Sequence, residues 1–266
     1  MAVRSNFIYN QKIEEIAKRA RTASTNEELA IVCQDLNIAD KIFLGKVDLW
    51  LAKNALSTVY RTLKKYPALR WYMHYFGTLN GFIQNKNDLF NDVNGCANFF
   101  VEHMMKQATD SLVVNCRTAF QNNGLAVAFY SGTDQIFLSG IIINGKSMNQ
   151  QDILRNLQYG EQVGHSPKCC NTIKSVVEHE IGHILDQMLG LNSCYEFKKI
   201  MKKYDVNYLY NNLSHYCVMN NTVDVREVIA EAYSEYCNNP NPREVAKEIG
   251  TLIEKRYKER FGGYYS

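Results

Sequence analysis

Residues 171–190 constrain this 266-residue chain more than any other stretch, because their pattern fits a capped helix with a polar cluster along one side. Asn171 or Thr172 can cap the start of the helix, and Gly190 can end it. The apolar positions recur at helical spacing, at Ile173, Val177, Ile181, Ile184 and Met188. Residues 179–183 read HEIGH, so two histidines and a glutamate border this apolar stripe.

The His179-Glu180-x-x-His183 pattern has the spacing of a metal site. At helical geometry the two histidines lie about 40° apart, so both imidazoles can reach one ion. Glu180 lies about 60° from His183, where it can contact a water beside the ion and act as a general base. The alternative is a surface helix that carries these residues by chance, and a third ligand would decide between the two.

A second predicted helix begins after Asp224 and carries glutamates four residues apart, at positions 227, 231 and 235. Stacked acids repel one another by a few tenths of a kcal/mol per pair, which favours a cation nearby. Asp224 and Glu227 also have the spacing of a capping box, which would explain Glu227 without a metal. The residues alone leave both Glu227 and Glu231 open as the third ligand.

HEIGHILD at 179–186 followed by EVIAEAYSEY at 227–236 resembles the lethal-factor-like zincins, the family of the anthrax lethal factor catalytic domain and its phage and mobile-element relatives. The resemblance covers residues 165–236. It implies a zinc metalloendopeptidase with one Zn²⁺ per chain, held by His179, His183 and Glu227. In such an enzyme Glu180 is the general base for a zinc-activated water, and Glu231 orients a ligand histidine. Asp186 faces the histidine side of its helix and is either another such partner or a solvent-facing side chain.

Relatives of phage origin often carry a Ser-x-Tyr element whose tyrosine helps to stabilise the oxyanion. Here Ser214-His215-Tyr216 is similar, which implies that Tyr216 is catalytic, with His215 as a rival for the role. Tyr216 precedes Glu227 by 11 residues, which is longer than in those relatives. An insertion over residues 218–225 would account for the excess.

The resemblance also implies a zincin fold, in which a strand above the active-site helix pairs with extended substrate. Residues 137–144 are the candidate for this edge strand, with Ser139, Gly140 and Ile141 as substrate-binding residues. The alternative is an ordinary core strand.

The order of predicted elements indicates an α+β fold, with a small mixed sheet over the HExxH helix and mostly helical ends. Residues 1–66 are expected to form a wholly helical N-terminal region, and residues 67–266 the metallopeptidase domain. Helical spacing continues at 97–120 and over most of the chain after residue 149. The predicted strands are 69–76, 125–130 and 135–144, with a hairpin turn at 131–134.

Composition limits the classes of partner that this chain can bind. A formal net charge of +3 does not describe a nucleic-acid binder, and no run of residues is apolar enough for a membrane span or signal peptide. We therefore expect a peptide or protein substrate, reduced thiols and a cytoplasmic location, with virion association or specialised export as alternatives. His74, His103 and His165 have no partner at ligand spacing and are expected to be structural.

Two other functions are consistent with the sequence. The chain could be a phage or mobile-element accessory protein that uses a zincin scaffold for binding without proteolysis. It could also be an effector protease that acts on one host protein. An intact Glu180 argues against the first, because a scaffold that cleaves nothing has no need of the base.

Overall fold

The computed structural model describes residues 15, 18–94, 99–122, 124–132, 137–146 and 149–262. The chain divides into two compact units that interleave along the sequence. Unit 1 comprises Met1–Lys65, Arg70–Val127 and Ser131–Ser147, and unit 2 comprises Tyr66–Leu69, Ala128–Tyr130 and Met148–Ser266.

Unit 1 contains most of a four-stranded sheet together with helices that cover it. Its helices are α1 (Asn26–Asp35), α2 (Leu49–Lys65), α3 (Leu79–Asn94) and α4 (Phe99–Gln121). The strands are β1 (Lys41–Phe43), β2 (Tyr75–Thr78), β3 (Ala126–Gly132) and β4 (Phe137–Ile143). Helix α3 packs against β1, β2 and β4, and strands β2 and β4 bury almost all of their side chains.

The sheet has the strand order β1-β2-β4-β3, with β1 and β2, and β2 and β4, paired in parallel. The expectation that β4 is an edge strand is therefore wrong. Gly140 pairs with Tyr75 and Ile141 with Phe76, while β3 covers the other side of β4. The core-strand alternative is correct, and β3 is the sheet edge beyond β4.

Two other expectations for this half of the chain need correction. The first quarter is not wholly helical, since β1 lies within it and is held by pairing with β2. Residues 69–76 are not one strand either, because a 3-10 helix spans Pro67–Tyr72 before β2 begins at Tyr75. The long helix and the two later strands are confirmed to within a few residues. The turn predicted at 131–134 extends outside the described residues.

Unit 2 is mainly helical. Its helices are α5 (Gln150–Gln162), α6 (Ile173–Leu189), α7 (Tyr195–Met201), α8 (Val206–Asn212), α9 (Val225–Asn238) and α10 (Glu244–Phe261). A 3-10 turn (His215–Cys217) and the hairpin β5 (Val218–Met219) and β6 (Thr222–Val223) connect α8 to α9. Asn220 and Asn221 form the hairpin turn with φ of 50° and 57°, the left-handed conformation that a two-residue type I′ turn requires.

Helix α6 begins and ends as its sequence indicates. The Thr172 side chain accepts from the Ser175 backbone N–H, the Ser175 hydroxyl accepts from the Thr172 N–H, and Gly190 ends the helix at φ 62°. The structure thus confirms the coarse α+β class. Among the described residues, no helix has the length and apolar character needed to cross a membrane.

Candidate metal centre

Helices α6 and α9 pack closely enough to bring their polar residues together. The closest approach is at Gly182, where an added Cβ would lie 2.7 Å from the Ala230 Cα atom. Residues Val228 to Glu235 of α9 are all buried, and most of α6 is buried as well. His179 and His183 flank Gly182 on one helix, and Glu227 and Glu231 flank Ala230 on the other. This crossing therefore sets the distance between the two pairs.

Three side-chain atoms converge at this crossing. The Nε2 atoms of His179 and His183 are 3.2 Å apart. Glu227 Oε2 lies 3.3 Å from the first and 3.5 Å from the second. These atoms form a nearly equilateral triangle, with about a fifth of the His183 and Glu227 side chains exposed to solvent.

Glu227 Oε2 is buried and has no hydrogen-bond partner among the described residues. The two imidazoles approach it without making a well-formed hydrogen bond. Burial raises the pKa of Glu227, but attraction to the two imidazoles outweighs it and holds the pKa well below its usual range. A buried carboxylate oxygen beside two imidazole nitrogens and without a donor is suited to a cation. The capping-box alternative is not formed, since Asp224 caps the helix by accepting from Arg226 N–H.

Glu180 also belongs to this cluster. One of its carboxylate oxygens and a ring nitrogen of each histidine lie within 4.8 Å of one another, so His179, Glu180 and His183 could hold a metal ion. Glu180 Oε2, however, accepts a hydrogen bond of 2.5 Å from the backbone N–H of Ala128. Ala128 is in the stretch of edge strand β3 that belongs to unit 2, so this contact fixes the carboxylate at the sheet edge.

Glu231 lies behind His179, on the side away from Glu227. Its Oε2 is 3.7 Å from His179 Nδ1, and its Oε1 is 3.2 Å from the hydroxyl of Ser214. Burial lowers the pKa of His179, but Glu231 and Glu227 outweigh this effect and hold it well above its usual range. A carboxylate at Nδ1 favours the tautomer that leaves the Nε2 lone pair free for a ligand.

Tyr216 lies beside the cluster and is 46% exposed. Its ring centroid is 6.0 Å from that of His179 and 5.2 Å from that of His165. Burial, with the negative charges of Glu227 and Glu180, raises the pKa of Tyr216 to about 12, so its hydroxyl keeps its proton at neutral pH. The ring of His215 instead stacks on Tyr210 at 4.0 Å.

The remaining predicted residues lie elsewhere. Asp186 is buried, and its carboxylate accepts from both the backbone and the side chain of Asn192, so the solvent-facing alternative is wrong. Ser139, Gly140 and Ile141 are buried in unit 1, where the Ser139 backbone N–H donates to His74 Nδ1. The structure describes the backbone of His103 but not its side chain.

Sequence reasoning missed two contacts at the centre. The backbone N–H of Ala128 has no signal in the sequence, because any residue except proline supplies it. The ring of His165, which the sequence predicts to be structural, packs against Tyr216, and no spacing in the sequence indicates this contact. No protein-family model, curated protein or solved structure shows significant similarity to the chain.

Proposed function

We propose that the chain is a zinc metallopeptidase of the lethal-factor-like type, with His179, His183 and Glu227 as the ligands of one Zn²⁺. The triangle of His179 Nε2, His183 Nε2 and Glu227 Oε2 carries the proposal, with sides of 3.2, 3.3 and 3.5 Å. Ligands at zinc distances in tetrahedral arrangement are about 3.4 Å apart. Two imidazoles and a carboxylate are also a ligand set of catalytic zinc.

Glu227 fits the role of third ligand better than Glu180 or Glu231. Its Oε2 points at both Nε2 atoms and has no hydrogen-bond donor among the described residues. Glu180 is engaged by Ala128, and Glu231 is on the Nδ1 side of His179. Zinc bound there would polarise the peptide carbonyl and lower the pKa of a coordinated water.

Glu180 would then act as the general base. The Ala128 N–H holds one carboxylate oxygen, which orients the group beside the triangle. From this position Glu180 can take a proton from the attacking water and deliver it to the leaving nitrogen. The Tyr216 hydroxyl is protonated, so it can donate a hydrogen bond to the developing oxyanion.

An extended peptide has a place beside this centre. The edge strand β3 carries Ala128–Tyr130 in the same unit as α6, and its edge faces Glu180 through the Ala128 N–H. The end strand of a sheet can take up an extended peptide as an added strand, through backbone hydrogen bonds. We propose this edge, in place of β4, as the substrate-binding strand.

Elemental mass spectrometry on tag-free protein, combined with cleavage of a peptide library, tests the proposal. We expect about one zinc per chain. Glu227→Ala should lose the zinc, and Glu180→Gln should keep it while losing cleavage. Glu244→Ala is the matched control, because Glu244 lies in the first turn of α10 as Glu227 does in α9.

The outcomes separate the possibilities. Absence of zinc after reconstitution would contradict the metallopeptidase. Zinc without cleavage of any peptide would favour a binding protein with a metal-stabilised scaffold. Zinc retained in Glu227→Ala but lost in Glu231→Ala would exchange the roles of these two glutamates.

A further inference from the structure

Ser214 stands between the metal centre and Tyr216. It precedes the 3-10 turn at His215–Cys217, and the residue is only 1% exposed. Its hydroxyl oxygen lies 2.9 Å from the backbone nitrogen of Tyr216, from which it accepts a hydrogen bond. It also lies 2.8 Å from the His165 carbonyl oxygen and 3.2 Å from Glu231 Oε1, both of which can only accept.

A serine hydroxyl has a single proton to donate, so these two acceptors compete for it. Donation to Glu231 links the Tyr216 backbone, through the Ser214 hydroxyl, to the carboxylate that lies 3.7 Å from Nδ1 of the candidate ligand His179. If the hydroxyl instead donates to the His165 carbonyl, its lone pairs face the Glu231 carboxylate and no hydrogen bond joins the two side chains. The orientation of the Glu231 carboxylate therefore influences the hydrogen bond that the Tyr216 backbone N–H donates to the Ser214 hydroxyl.

Other contacts hold the turn on both sides of Ser214. The backbone N–H of His215 donates to the Gly164 carbonyl at 2.7 Å. Gly164 has a φ of 76°, and an added Cβ would lie 2.9 Å from His215 Nε2. One residue before Ser214, the Leu213 carbonyl accepts from Arg243 at 2.9 Å.

We propose that Ser214 is a positioning residue that couples occupancy of the metal centre to the placement of Tyr216. This inference rests on the proposed function for the identity of the metal and the role of Tyr216. With a metal ion bound at His179, the imidazole would orient Glu231 so that its carboxylate accepts the hydrogen bond of the Ser214 hydroxyl. The turn then holds the Tyr216 ring against His165 with its hydroxyl available to substrate.

The first test uses zinc alone and needs no cleavage assay. A 3-fluorotyrosine placed only at position 216 reports its surroundings by ¹⁹F NMR. We expect zinc to shift and sharpen the resonance in the otherwise unchanged protein. In Ser214→Ala the shift should be lost while zinc still binds, and in Ser214→Thr, which keeps a hydroxyl, it should be restored at least in part.

The second test is kinetic. We expect Ser214→Ala to lower kcat about tenfold with little change in KM, the size found when an outer partner of a metal site is removed. In a Tyr216→Phe background the same change should have no further effect, because Ser214 acts through Tyr216. Ser234→Ala is the matched control, because Ser234 is also 1% exposed and its hydroxyl donates to the Ser175 carbonyl away from this path.

An equal zinc-induced ¹⁹F shift in Ser214→Ala and the unchanged protein would overturn the inference. So would a loss of kcat that is as large in the Tyr216→Phe background as in the protein that keeps Tyr216. Neither result would affect the zinc stoichiometry on which the proposed function depends. A failure to bind zinc at all would instead refute both.

Discussion

At the scale of residues, the stacked glutamates of α9 meet different sets of partners, although Glu227 and Glu231 both contact His179. Glu227 lies at the two imidazoles and Glu231 at His179 and Ser214. Glu235, which is fully buried, accepts from the Arg243 guanidinium at 2.6 to 2.9 Å. A row of like charges is tolerated on one helix face because each carboxylate lies beside an imidazole or a guanidinium.

The position of Glu231 predicts a role in ligand orientation without metal ligation. We expect Glu231→Gln to weaken zinc affinity about 10- to 100-fold while one zinc still binds at saturation. The amide keeps the size of the side chain but removes the charge that favours a proton on Nδ1 of His179. Competition with a chromophoric chelator measures the affinity. An affinity equal to that of the unchanged protein would show that His179 needs no such partner.

The residues of the candidate metal centre were predictable where they lie close together in sequence. The two histidines and Glu180 follow from spacing along one helix. The choice between Glu227 and Glu231 required the distance between two helices, which the sequence expresses only through resemblance to a family. The neighbours of Asp186 were beyond prediction, because Asn192 meets it through the turn after Gly190.

At the scale of elements, the crossing of α6 and α9 determines the geometry of the candidate metal ligands. Gly182 allows the Ala230 backbone to approach so closely that no side chain fits between the helices. A helix position normally favours alanine over glycine by about 1 kcal/mol, so this glycine is retained against propensity.

We therefore expect Gly182→Ala to destabilise the protein by about 1–3 kcal/mol, as overpacking does, and to weaken zinc binding by separating the ligand pairs. Urea unfolding and zinc competition measure the two effects. Gly160→Ala in α5 is the control, since its added Cβ meets its nearest neighbour, the Ser166 hydroxyl, only at 3.4 Å. A Gly182→Ala protein as stable as the control would contradict this account of the crossing.

The pair of Glu235 and Arg243 ties α9 to the start of α10 and to the Leu213 carbonyl. We expect Arg243→Met to cost about 3 kcal/mol, because it leaves a carboxylate buried without its partner. The double variant Glu235→Met with Arg243→Met should recover most of the loss. Chemical denaturation of the three proteins checks this, and a double variant less stable than Arg243→Met would contradict it.

Elements held by distant partners were the ones that the sequence predicted poorly. Strand β1 is three residues long and depends on β2, more than 30 residues away in sequence. The position of β4 inside the sheet depends on its pairing with β2, which is distant in sequence. The apolar pattern of β4 alone does not indicate which strand it pairs with. Helices α2, α4, α6 and α9 were predictable because their burial repeats within a few turns.

At the scale of the whole molecule, zinc should stabilise the fold and should do so more strongly as pH rises. Because the folded protein raises the pKa of His179, protonation of this residue stabilises the metal-free fold. The stabilisation is fully present below pH 6.5, the ordinary pKa of histidine, and is lost as the pH rises through the raised pKa. The pKa of Glu227 is lowered, so its ionised carboxylate stabilises the fold. This stabilisation is present above pH 4.5, the ordinary pKa of glutamate, and is lost as the pH falls through the lowered pKa. Zinc must displace the His179 proton, so its effect grows towards alkaline pH.

Thermal unfolding with zinc and with a chelator measures this effect. Free zinc at 100 times its Kd should add about 2.7 kcal/mol to the free energy of unfolding. The difference in Tm between the two conditions should increase from about pH 6 to about pH 8. Glu227→Gln should show no difference at either pH, and a difference that shrinks with rising pH would contradict the ligand assignment.

The division into two units also belongs to this scale. Residues 66–69 and 128–130 belong with the C-terminal part of the chain although unit 1 surrounds them in sequence. Residues 66–69 belong with unit 2 because the ring of Tyr66 packs against that of Tyr257, with 4.9 Å between the ring centroids. No change of composition marks these segments, so the prediction of a break at residue 66 had no signal that could have located them.

The stacked glutamates of α9 have a consequence for the order of folding. As an isolated peptide this segment would be a poor helix, because its acids repel and its few turns cannot repay nucleation. In the folded protein, α6 supplies imidazoles to Glu227 and Arg243 at the start of α10 pairs with Glu235, and both contacts favour the helix. We therefore expect the first turn of α9, which holds Glu227, to be the last part of the centre to form and, if a metal binds there, the first to fray on its withdrawal.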